Sequence, residues 1–504
     1  MRRISSYLFL LKLLKIPVSL YSYTLIAKYF GVSIEKDIWL LAFSLILTLD
    51  TAVWGPINDV FRAKFVTLKE IDGEQKAIKA TQSLLFYMFL FSCIIVLIVF
   101  FFTGFFVDLI STGYADEDRL QLIGMLRLVA PILLVNQASL IGISILNAYD
   151  SFVVPEIASF CSQILNVIIL IFFVDRFGIY VLWLATVISL LLLIFFILYK
   201  FKKMRIPLFT SFKPQFTYFK TFFLFAFPLF IPYCIGQMNS IIEKKLISSV
   251  GIGTVSIIDF AKKFPDMVNV IISSVVLTVF TPTITRLFVN KDRVEFDKHF
   301  LDSFGLGLLI IGFFSVFMLV GSNDVMMFFY GKSSVDTKSL LEIVELNKLY
   351  SLAAFTIFLY VIFGTSLLAI GKNKINALAG TVTQISVIAI NLILVGRFGV
   401  YIFPFSVLVS HFIAAIFMFL YYPYDKKVVG SFFFKFVFFL CLVLLSLKFF
   451  STLLFYEFVI DSFILRIFLI GFLELILFVL VGLLFNIKEI QLGRDFLLKK
   501  LGIR

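Results

Sequence analysis

Two apolar stretches of this chain open in the same way. They read RFGIYVLWLATVISLLLLIFFILYKF from position 176 and RFGVYIFPFSVLVSHFIAAIFMFLYY from position 397. Each continues from Arg-Phe-Gly with hardly a charged side chain for the roughly 20 residues that a helix needs to cross a bilayer. The pattern predicts one transmembrane helix in each stretch.

An internal repeat extends beyond the two stretches. Gln163-Ile164 recurs as Gln384-Ile385, at the same offset that separates positions 176 and 397. Ser144-Ile145-Leu146 is echoed by Ser366-Leu367-Leu368, one residue beyond that offset. A constant offset indicates that a multi-helix unit has been duplicated. Six helices in each unit would make the two copies parallel, related by an axis along the membrane normal, as in alternating-access transporters.

The composition of the chain requires lipid as its solvent. Hydrophobic residues make up 61% and charged residues 15% of it, and its mean hydropathy is +1.07, whereas soluble domains are about half apolar and a quarter charged. We therefore predict an all-α polytopic membrane protein with about 14 transmembrane helices. The predicted parts are an N-lobe of spans 1–6 (1–213), a C-lobe of spans 7–12 (214–425), and spans 13 and 14 with a cytoplasmic tail (426–504).

The charges of the loops predict the orientation. If both termini are cytoplasmic, the inner segments hold roughly 25 Lys and Arg residues and the outer ones about six, as the positive-inside rule demands. The loop with Asp116-Glu117-Asp118 lies outside in this arrangement. The net charge of +13 is thus explained by membrane topology rather than by nucleic-acid binding. We expect a bacterial inner-membrane protein, multi-pass, with both termini cytoplasmic.

Signatures of other chemistries are missing from the sequence. The four cysteines form no CxxC pair, the two histidines are far apart, and no GxxxxGK[ST] loop is present. A membrane-embedded glycan ligase or polymerase would need a large external loop, and no segment between the predicted spans is long enough. We expect a transporter, not an enzyme, with no catalytic residues and no metal centre built from histidine or cysteine.

Span 8 carries a charged stripe. Asp259, Lys262, Lys263 and Asp266 follow one another at i, i+3, i+4 and i+7, which places them on one helix face. Such a face needs water or a polar ligand beside it, or it forms a salt-bridge network without any ligand. Pro265 interrupts the same span and frees a backbone carbonyl, as gating helices do, although a simple kink would leave the same mark.

The ionisable side chains within the spans are more often basic than acidic on spans 1, 4, 7 and 8. Such groups cost several kcal/mol in the bilayer unless they face a cavity or a partner. A cationic cavity suits an anionic substrate such as a pyrophosphate, which Lys and Arg bind. The candidate substrate-binding residues are Lys12, Lys15, Arg127, Lys262 and Lys263.

Three regions resemble the lipid II flippases (the MurJ or MviN family). Gly253-Thr254-Val255-Ser256, Ala261-Lys262-Lys263, Pro265 and Thr281-Pro282 are similar to the family's signature of spans 7 and 8. The stretch Leu126 to Pro155 (LRLVAPILLVNQASLIGISILNAYDSFVVP) resembles the family's span 4–5 pattern, and Ala27 to Gly31 with Asp37 and Ala42-Phe43 resembles its span 1–2 turn. The resemblance covers roughly residues 20–420, and the family also has about 14 spans.

The resemblance implies membership of the multidrug/oligosaccharidyl-lipid/polysaccharide exporter superfamily. It places Lys263 where the family has an essential arginine, and Asp37 at a family aspartate. Glu243 and Asn391 fall near a site that binds Na⁺ in some members. Na⁺ or H⁺ is therefore the expected coupling ion, and no other cofactor is expected. The residues assigned to gating or ion coupling are Asp37, Asp50, Glu243, Asp259 and Asn391.

The chain departs from the family pattern in two places. The span 1 motif S-R-x-x-G-x-x-R-D is absent, and Leu14 to Tyr23 reads LKIPVSLYSY instead. Lys15 supplies one positive charge there, but the second arginine and the aspartate are missing. In span 2, Asp50 stands in place of an arginine. The departures leave room for a different lipid-linked glycan.

The leading hypothesis is a flippase for an undecaprenyl-pyrophosphate-linked saccharide, with lipid II as the best single substrate. Lys15, Arg127 and Lys263 would bind the pyrophosphate in a cavity between the lobes, and the lipid tail would follow a groove formed by spans 13 and 14. The alternatives are a flippase for O-antigen or capsular repeat units and an ion-coupled multidrug antiporter. The expected partners are the lipid-linked glycan and membrane lipids, with no nucleic acid, and the protein is expected to be a monomer.

Overall fold

The computed structural model describes the backbone of residues 2–491, apart from 207, 209–212, 277–279, 424 and 459. Side chains are described from residue 11 onward within these ranges, except at positions 13, 274, 275 and 282. The predicted cytoplasmic tail beyond residue 491 and the side chain of Pro282 lie outside the described residues.

The described residues form α-helices joined by short turns. In the first half these are α1 (Arg2–Phe30), α2 (Ile34–Asp72), α3 (Glu74–Phe101), α4 (Thr103–Ile110), α5 (Asp116–Val129), α6 (Ile132–Ala148), α7 (Val153–Phe177), α8 (Tyr180–Lys203) and α9 (Phe216–Val250). They are followed by α10 (Thr254–Val275), α11 (Thr281–Val289), α12 (Arg293–Tyr330), α13 (Thr337–Ala369), α14 (Asn373–Phe398), α15 (Ile402–Phe419), α16 (Lys426–Glu457) and α17 (Phe463–Leu484). The prediction of an all-α fold is confirmed.

The helices form two compact units, residues 1–256 and residues 257–504. In the first unit α2 lies at the centre and packs against α3, α5, α6 and α9, while α7 packs against α1 and α8. In the second unit α13 packs against α12 and α15, and α16 and α17 pack against α12. The predicted lobe boundaries at 213 and 425 describe a duplication rather than helix packing, and they stay a prediction.

Among the described residues, eleven helical segments are long and apolar enough, by length and composition, to cross a membrane. One of them, Asn373–Phe419, contains two separate helices, α14 and α15. Helices α1 and α10, of 29 and 22 residues, occupy two further predicted spans. The chain is a multi-pass membrane protein, and the count of fourteen spans stays a prediction.

Large apolar side chains cover the outside of both units. Phe172 is 75% exposed, Phe434 73% and Phe468 67%. In water such surfaces would drive aggregation, whereas in hydrocarbon they carry no penalty. The exposed phenylalanines are therefore the lipid-facing surface that the composition predicts.

The repeated motif forms the same turn in both places. Gly178 ends α7 with φ 51° and ψ −137°, and Gly399 ends α14 with φ 54° and ψ −135°. The amide of each glycine donates to the carbonyl four residues earlier, at Val174 and Val395. This backbone conformation is open to glycine at little cost, which explains why Arg-Phe-Gly occurs at both sites.

A second pair of turns matches at the same offset. After α6 the amide of Ser151 donates to the carbonyl of Leu146 (2.9 Å), and after α13 the amide of Lys372 donates to that of Leu367 (2.8 Å). Both bonds close the helix end with a six-residue loop of the Schellman type. Two turns with equivalent hydrogen bonds at equivalent positions support the internal repeat at the level of backbone geometry.

Candidate functional site

Lys15 of α1 is paired with a residue that the sequence did not single out. Its ammonium group lies 2.5 Å from Glu156 Oε2 and 3.1 Å from Ser159 Oγ, both on α7. The pair is largely enclosed, with side-chain exposures of 18% and 26%. Glu156 therefore offsets part of the positive charge that the sequence assigns to substrate binding. Lys12, one turn earlier, is exposed.

Arg127 contacts a different set of helices. Its Nε donates to Thr103 Oγ1 (3.1 Å), and its guanidinium carbon lies 5.1 Å from the centre of the Phe100 ring. The residue itself is exposed. Lys15 thus contacts α7, whereas Arg127 contacts the α3–α4 junction.

Asp50 lies in the middle of α2 and is 3% exposed. Asn136 Nδ2 donates to Oδ2 of its carboxylate (2.7 Å), and Gln137 Nε2 donates to Oδ1 (2.6 Å). Gln137 Oε1 in turn accepts from Asn58 Nδ2 (3.3 Å). Two neutral amide donors from adjacent residues of α6 therefore hold a carboxylate inside the bundle, where charged-group hydrogen bonds are among the stronger ones.

Asp37 holds the start of α10. Its Oδ2 accepts from the amide of Gly253 (2.7 Å), and its Oδ1 accepts from both the amide (2.8 Å) and the hydroxyl (2.6 Å) of Ser256. Asp37 is completely buried. Gly253 has φ +84°, and a Cβ there would approach Val32 Cγ1 to 2.6 Å. The motif Gly-x-x-Ser is thus explained by a carboxylate that binds the positive end of a helix.

The charged stripe of α10 lies partly buried. Asp259, Lys262 and Lys263 are intermediate in exposure and Asp266 is exposed. The ammonium group of Lys262 lies 5.1 Å from the centre of the Tyr350 ring, a distance that allows a cation–π contact.

Pro265 frees a carbonyl in α10, and Asn347 of α13 binds it. Proline has no N–H to donate to the residue four positions earlier, Ala261. Asn347 Nδ2 donates to the Ala261 carbonyl instead (2.9 Å), while its Oδ1 accepts from Ser322 Oγ of α12 (3.1 Å). Asn347 is completely buried. The freed backbone group expected from the sequence is therefore satisfied by a side chain.

The two residues assigned to a sodium site lie in different units. Glu243 belongs to α9 of the first unit, and Asn391 to α14 of the second. Asn391 is 1% exposed, and its Oδ1 has no hydrogen-bond partner among the described residues. The sodium site, like the other assigned roles, stays a prediction.

Sequence reasoning missed the partners of the predicted residues, namely Glu156, Asn136, Gln137 and Asn347. Asn136-Gln137 was visible as a polar pair within an apolar span. Glu156 and Asn347 gave no comparable signal, because each lies far along the chain from the group that it binds.

Known structures similar to this chain include a flippase and a multidrug resistance transporter. A solved structure described as lipid II flippase MurJ in an inward closed conformation has 20% identity and a TM-score of 0.77, covering 96% of this chain and 99% of that one. An inward-facing multidrug resistance MATE transporter of the MOP superfamily has 13% identity and a TM-score of 0.67, covering 82% and 95%. At these identities the likeness shows the fold.

A curated relative is the capsular polysaccharide biosynthesis protein CapF of Staphylococcus aureus. It is 21% identical over 215 residues, which is 42% of this chain. The match spans about half of the relative, 51% of its length.

The family model for lipid II flippase MurJ matches residues 26–477. This range holds the Asp37 cap, the Asp50 network and the stripe of α10, and the resemblance found in the sequence is confirmed. The chain belongs to the lipid II flippase MurJ family.

Proposed function

We propose that the chain flips an undecaprenyl-pyrophosphate-linked saccharide, with lipid II as the best single substrate, across the bacterial inner membrane. The observation that carries the proposal is the family match over residues 26–477. The fold likeness over 96% of the chain supports it. The protein acts as a transporter by alternating access rather than as an enzyme, works as a monomer, and has both termini in the cytoplasm.

Basic side chains recognise the pyrophosphate in this proposal. Lys263 has the central role, because the family resemblance places it where the family has an essential arginine. Lys15, which is paired with Glu156 at 2.5 Å, and Arg127, which is exposed, assist it. Lys12 and Lys262 contribute positive potential along the path. A pyrophosphate in a partly dehydrated site gains more from each cation than it would in water.

Buried polar groups supply gating and ion coupling. Asp37 and Asp50 are each tied to a second helix, so that they can couple local changes to helix movement. Asp259 belongs to the stripe beside Lys263. Na⁺ or H⁺ drives the cycle, and Glu243 and Asn391 contribute to the sodium site if Na⁺ is the ion.

Replacing Lys263 tests the proposal most directly. Lys263→Ala is expected to abolish complementation of a flippase-depleted strain and to lower lipid II flipping in proteoliposomes at least tenfold. A tenfold loss of rate corresponds to about 1.4 kcal/mol in the activation free energy of flipping. The matched control is Lys298→Ala, because Lys298 is an exposed lysine paired with Glu295 and should be silent. Full activity of Lys263→Ala contradicts the role of Lys263, whereas a wild-type protein that flips no lipid-linked saccharide contradicts the function.

A second candidate substrate is a lipid-linked capsular repeat unit. The similarity to the CapF protein favours it, and so does the absence of the span 1 motif. The same proteoliposome assay, run with lipid II and with a capsular lipid-linked repeat unit in parallel, decides between the two. The larger initial flipping rate identifies the substrate class.

A further inference from the structure

A polar cavity of about 320 Å³ lies within the first unit and is bounded by α1, α7 and α8. Its polar lining comes from all three helices and includes Ser19 and Ser22 of α1, Ser162 and Gln163 of α7, and Thr186 and Ser189 of α8. These residues lie near the middle of their helices. The cavity is therefore at the depth where a membrane protein can least afford unused polar groups.

Several polar atoms of the lining have no partner. Ser162 Oγ, Gln163 Oε1 and Ser189 Oγ are buried and accept or donate no hydrogen bond within the described part of the chain. Ser162 and Ser189 are only 7% and 8% exposed. Leaving a buried polar group unsatisfied is unfavourable, because the group has lost its water without gaining another partner. Three such groups around one cavity point to a ligand that supplies their hydrogen bonds.

The cavity lining carries no charge. The lining residues are hydroxyl-bearing, amide-bearing and aliphatic side chains only. The ionic group nearest to the lining is Lys15, whose ammonium group donates to the lining residue Ser159 (3.1 Å) and is offset by Glu156 at 2.5 Å. An ion placed here would lack a counter-charge at membrane depth, which is unfavourable. A neutral ligand with many hydroxyl or amide groups fits instead.

We infer that this cavity binds a sugar ring of the lipid-linked glycan. The inference rests on the proposed function and adds to it a neutral subsite distinct from the cationic residues. Sugar hydroxyls both donate and accept, as the unpaired groups of Ser162, Gln163 and Ser189 require. A volume of 320 Å³ is at the lower end of the roughly 300–1,000 Å³ typical of small-molecule sites, which suits one ring rather than a whole headgroup.

The test compares a lipid that carries a saccharide headgroup with one that ends at the pyrophosphate. Full-length protein in nanodiscs is titrated with lipid II and with undecaprenyl pyrophosphate, which lacks sugar. The double variant Ser162→Ala/Ser189→Ala should bind lipid II about tenfold more weakly, because two hydrogen bonds to the sugar are lost. Its affinity for undecaprenyl pyrophosphate should stay within twofold of wild type.

A matched control is available in the second unit. Ser410 occupies the position of the repeat that is equivalent to Ser189, is 2% exposed, and its hydroxyl has no partner among the described residues. Ser410→Ala should leave both affinities unchanged. Gln163→Leu serves as a second pocket variant, and an unchanged thermal unfolding midpoint shows that each protein is folded.

The outcomes separate the inference from the function it rests on. Unchanged lipid II binding, or equal weakening for both lipids, overturns the sugar subsite while the flippase proposal stands. A loss that depends on Na⁺ but not on the saccharide overturns it in favour of a cation site. Wild-type protein that binds neither lipid II nor undecaprenyl pyrophosphate overturns the proposed function and the subsite with it.

Discussion

The helix pairs α7–α8 and α14–α15 share a backbone but differ in chemistry. Their connecting glycines, Gly178 and Gly399, have nearly the same backbone angles, with φ 51° and 54° and ψ −137° and −135°. At the same offset, however, Asn166 and Thr186 of the first pair are replaced by Val387 and Val407. The duplication has thus kept the turn while the polar lining changed.

The hydrogen bonds of the two pairs differ accordingly. In the second pair the Thr383 hydroxyl donates to the Ala379 carbonyl (2.7 Å), so that it is satisfied within its own helix. Its counterpart Ser162 has no partner among the described residues. A helix-satisfied hydroxyl is a structural feature, whereas an unsatisfied one beside a cavity can bind a ligand. Ser189 and its counterpart Ser410, in contrast, both lack a partner among the described residues. The comparison teaches that the two halves share the turn while part of the polar chemistry beside it differs.

Helix α2 of the first half and helix α10 of the second also differ in chemistry, because only the first half has buried carboxylates at the compared positions. Asp37 and Asp50 are 0% and 3% exposed, and the equivalent positions of the repeat hold Ile258 and Ile271. The first half therefore contains buried anions at two positions where the second has isoleucine.

The largest expected loss of stability is that of Asp37→Ala, which tests whether the burial of this carboxylate strengthens its hydrogen bonds. Asp37→Ala removes three hydrogen bonds of 2.7, 2.8 and 2.6 Å from the start of α10, and each buried donor that is left without an acceptor costs about 1–3 kcal/mol. Thermal unfolding in detergent should show a large fall in the midpoint.

An exposed cap in the second half is the control for this variant. Asp336 accepts from the amide of Ser339 at the start of α13 (3.0 Å) and lies at the surface. Asp336→Ala should cost only about 1 kcal/mol, the usual value for an N-cap. Equal losses for both variants would show that burial does not set the strength of these caps.

A smaller loss of stability is expected when the hydrogen bond between Asn347 and Ala261 in the second half is removed. Asn347→Leu leaves the Ala261 carbonyl without the donor that compensates for Pro265, at a cost of about 1–3 kcal/mol. Asn347 is a neutral amide, unlike Asp37, so its replacement should lower the free energy of unfolding by less.

The compensation can be tested by a double-mutant cycle. Pro265→Ala restores an N–H that can reach Ala261, so Asn347→Leu should cost less in that background. Additive losses in the unfolding midpoint would mean that Asn347 does not act through the proline gap.

Much of the fold could be predicted because it depends on local patterns. Apolar runs of sufficient length gave the helices, and Arg-Phe-Gly at residues 176 and 397 located two turns with the same geometry. Glycine at such positive φ angles leaves a sequence signature because few other residues adopt that conformation without strain. The family was visible for a similar reason, in short motifs such as Gly253 to Ser256.

The site was harder to predict because its contacts are long-range. Lys15 was recognised as a cation, but its partner Glu156 lies 141 residues away and could not be paired with it in advance. Serines in apolar helices, such as Ser162 and Ser189, look ordinary singly, because they usually bond to the preceding turn. Only the assembly of α1, α7 and α8 shows that some do not, and that they line one cavity.

The smallest expected effect tests the shared backbone itself. Gly178→Ala and Gly399→Ala should each lower stability by an amount at the lower end of the about 1–3 kcal/mol that a non-glycine residue costs in this conformation, because a Cβ at Gly178 would meet no atom within 4 Å and Gly399 has nearly the same backbone angles. Gly396→Ala is the control, since Gly396 lies inside α14 with equal free space and alanine favours helices by about 1 kcal/mol.

If the two halves share their scaffold and differ only in chemistry, both turn variants should shift the unfolding midpoint alike while lipid II affinity stays unchanged. A loss of affinity in Gly178→Ala alone would instead show that the turn positions the cavity formed by α7 and α8, so that backbone and chemistry are coupled in the first half.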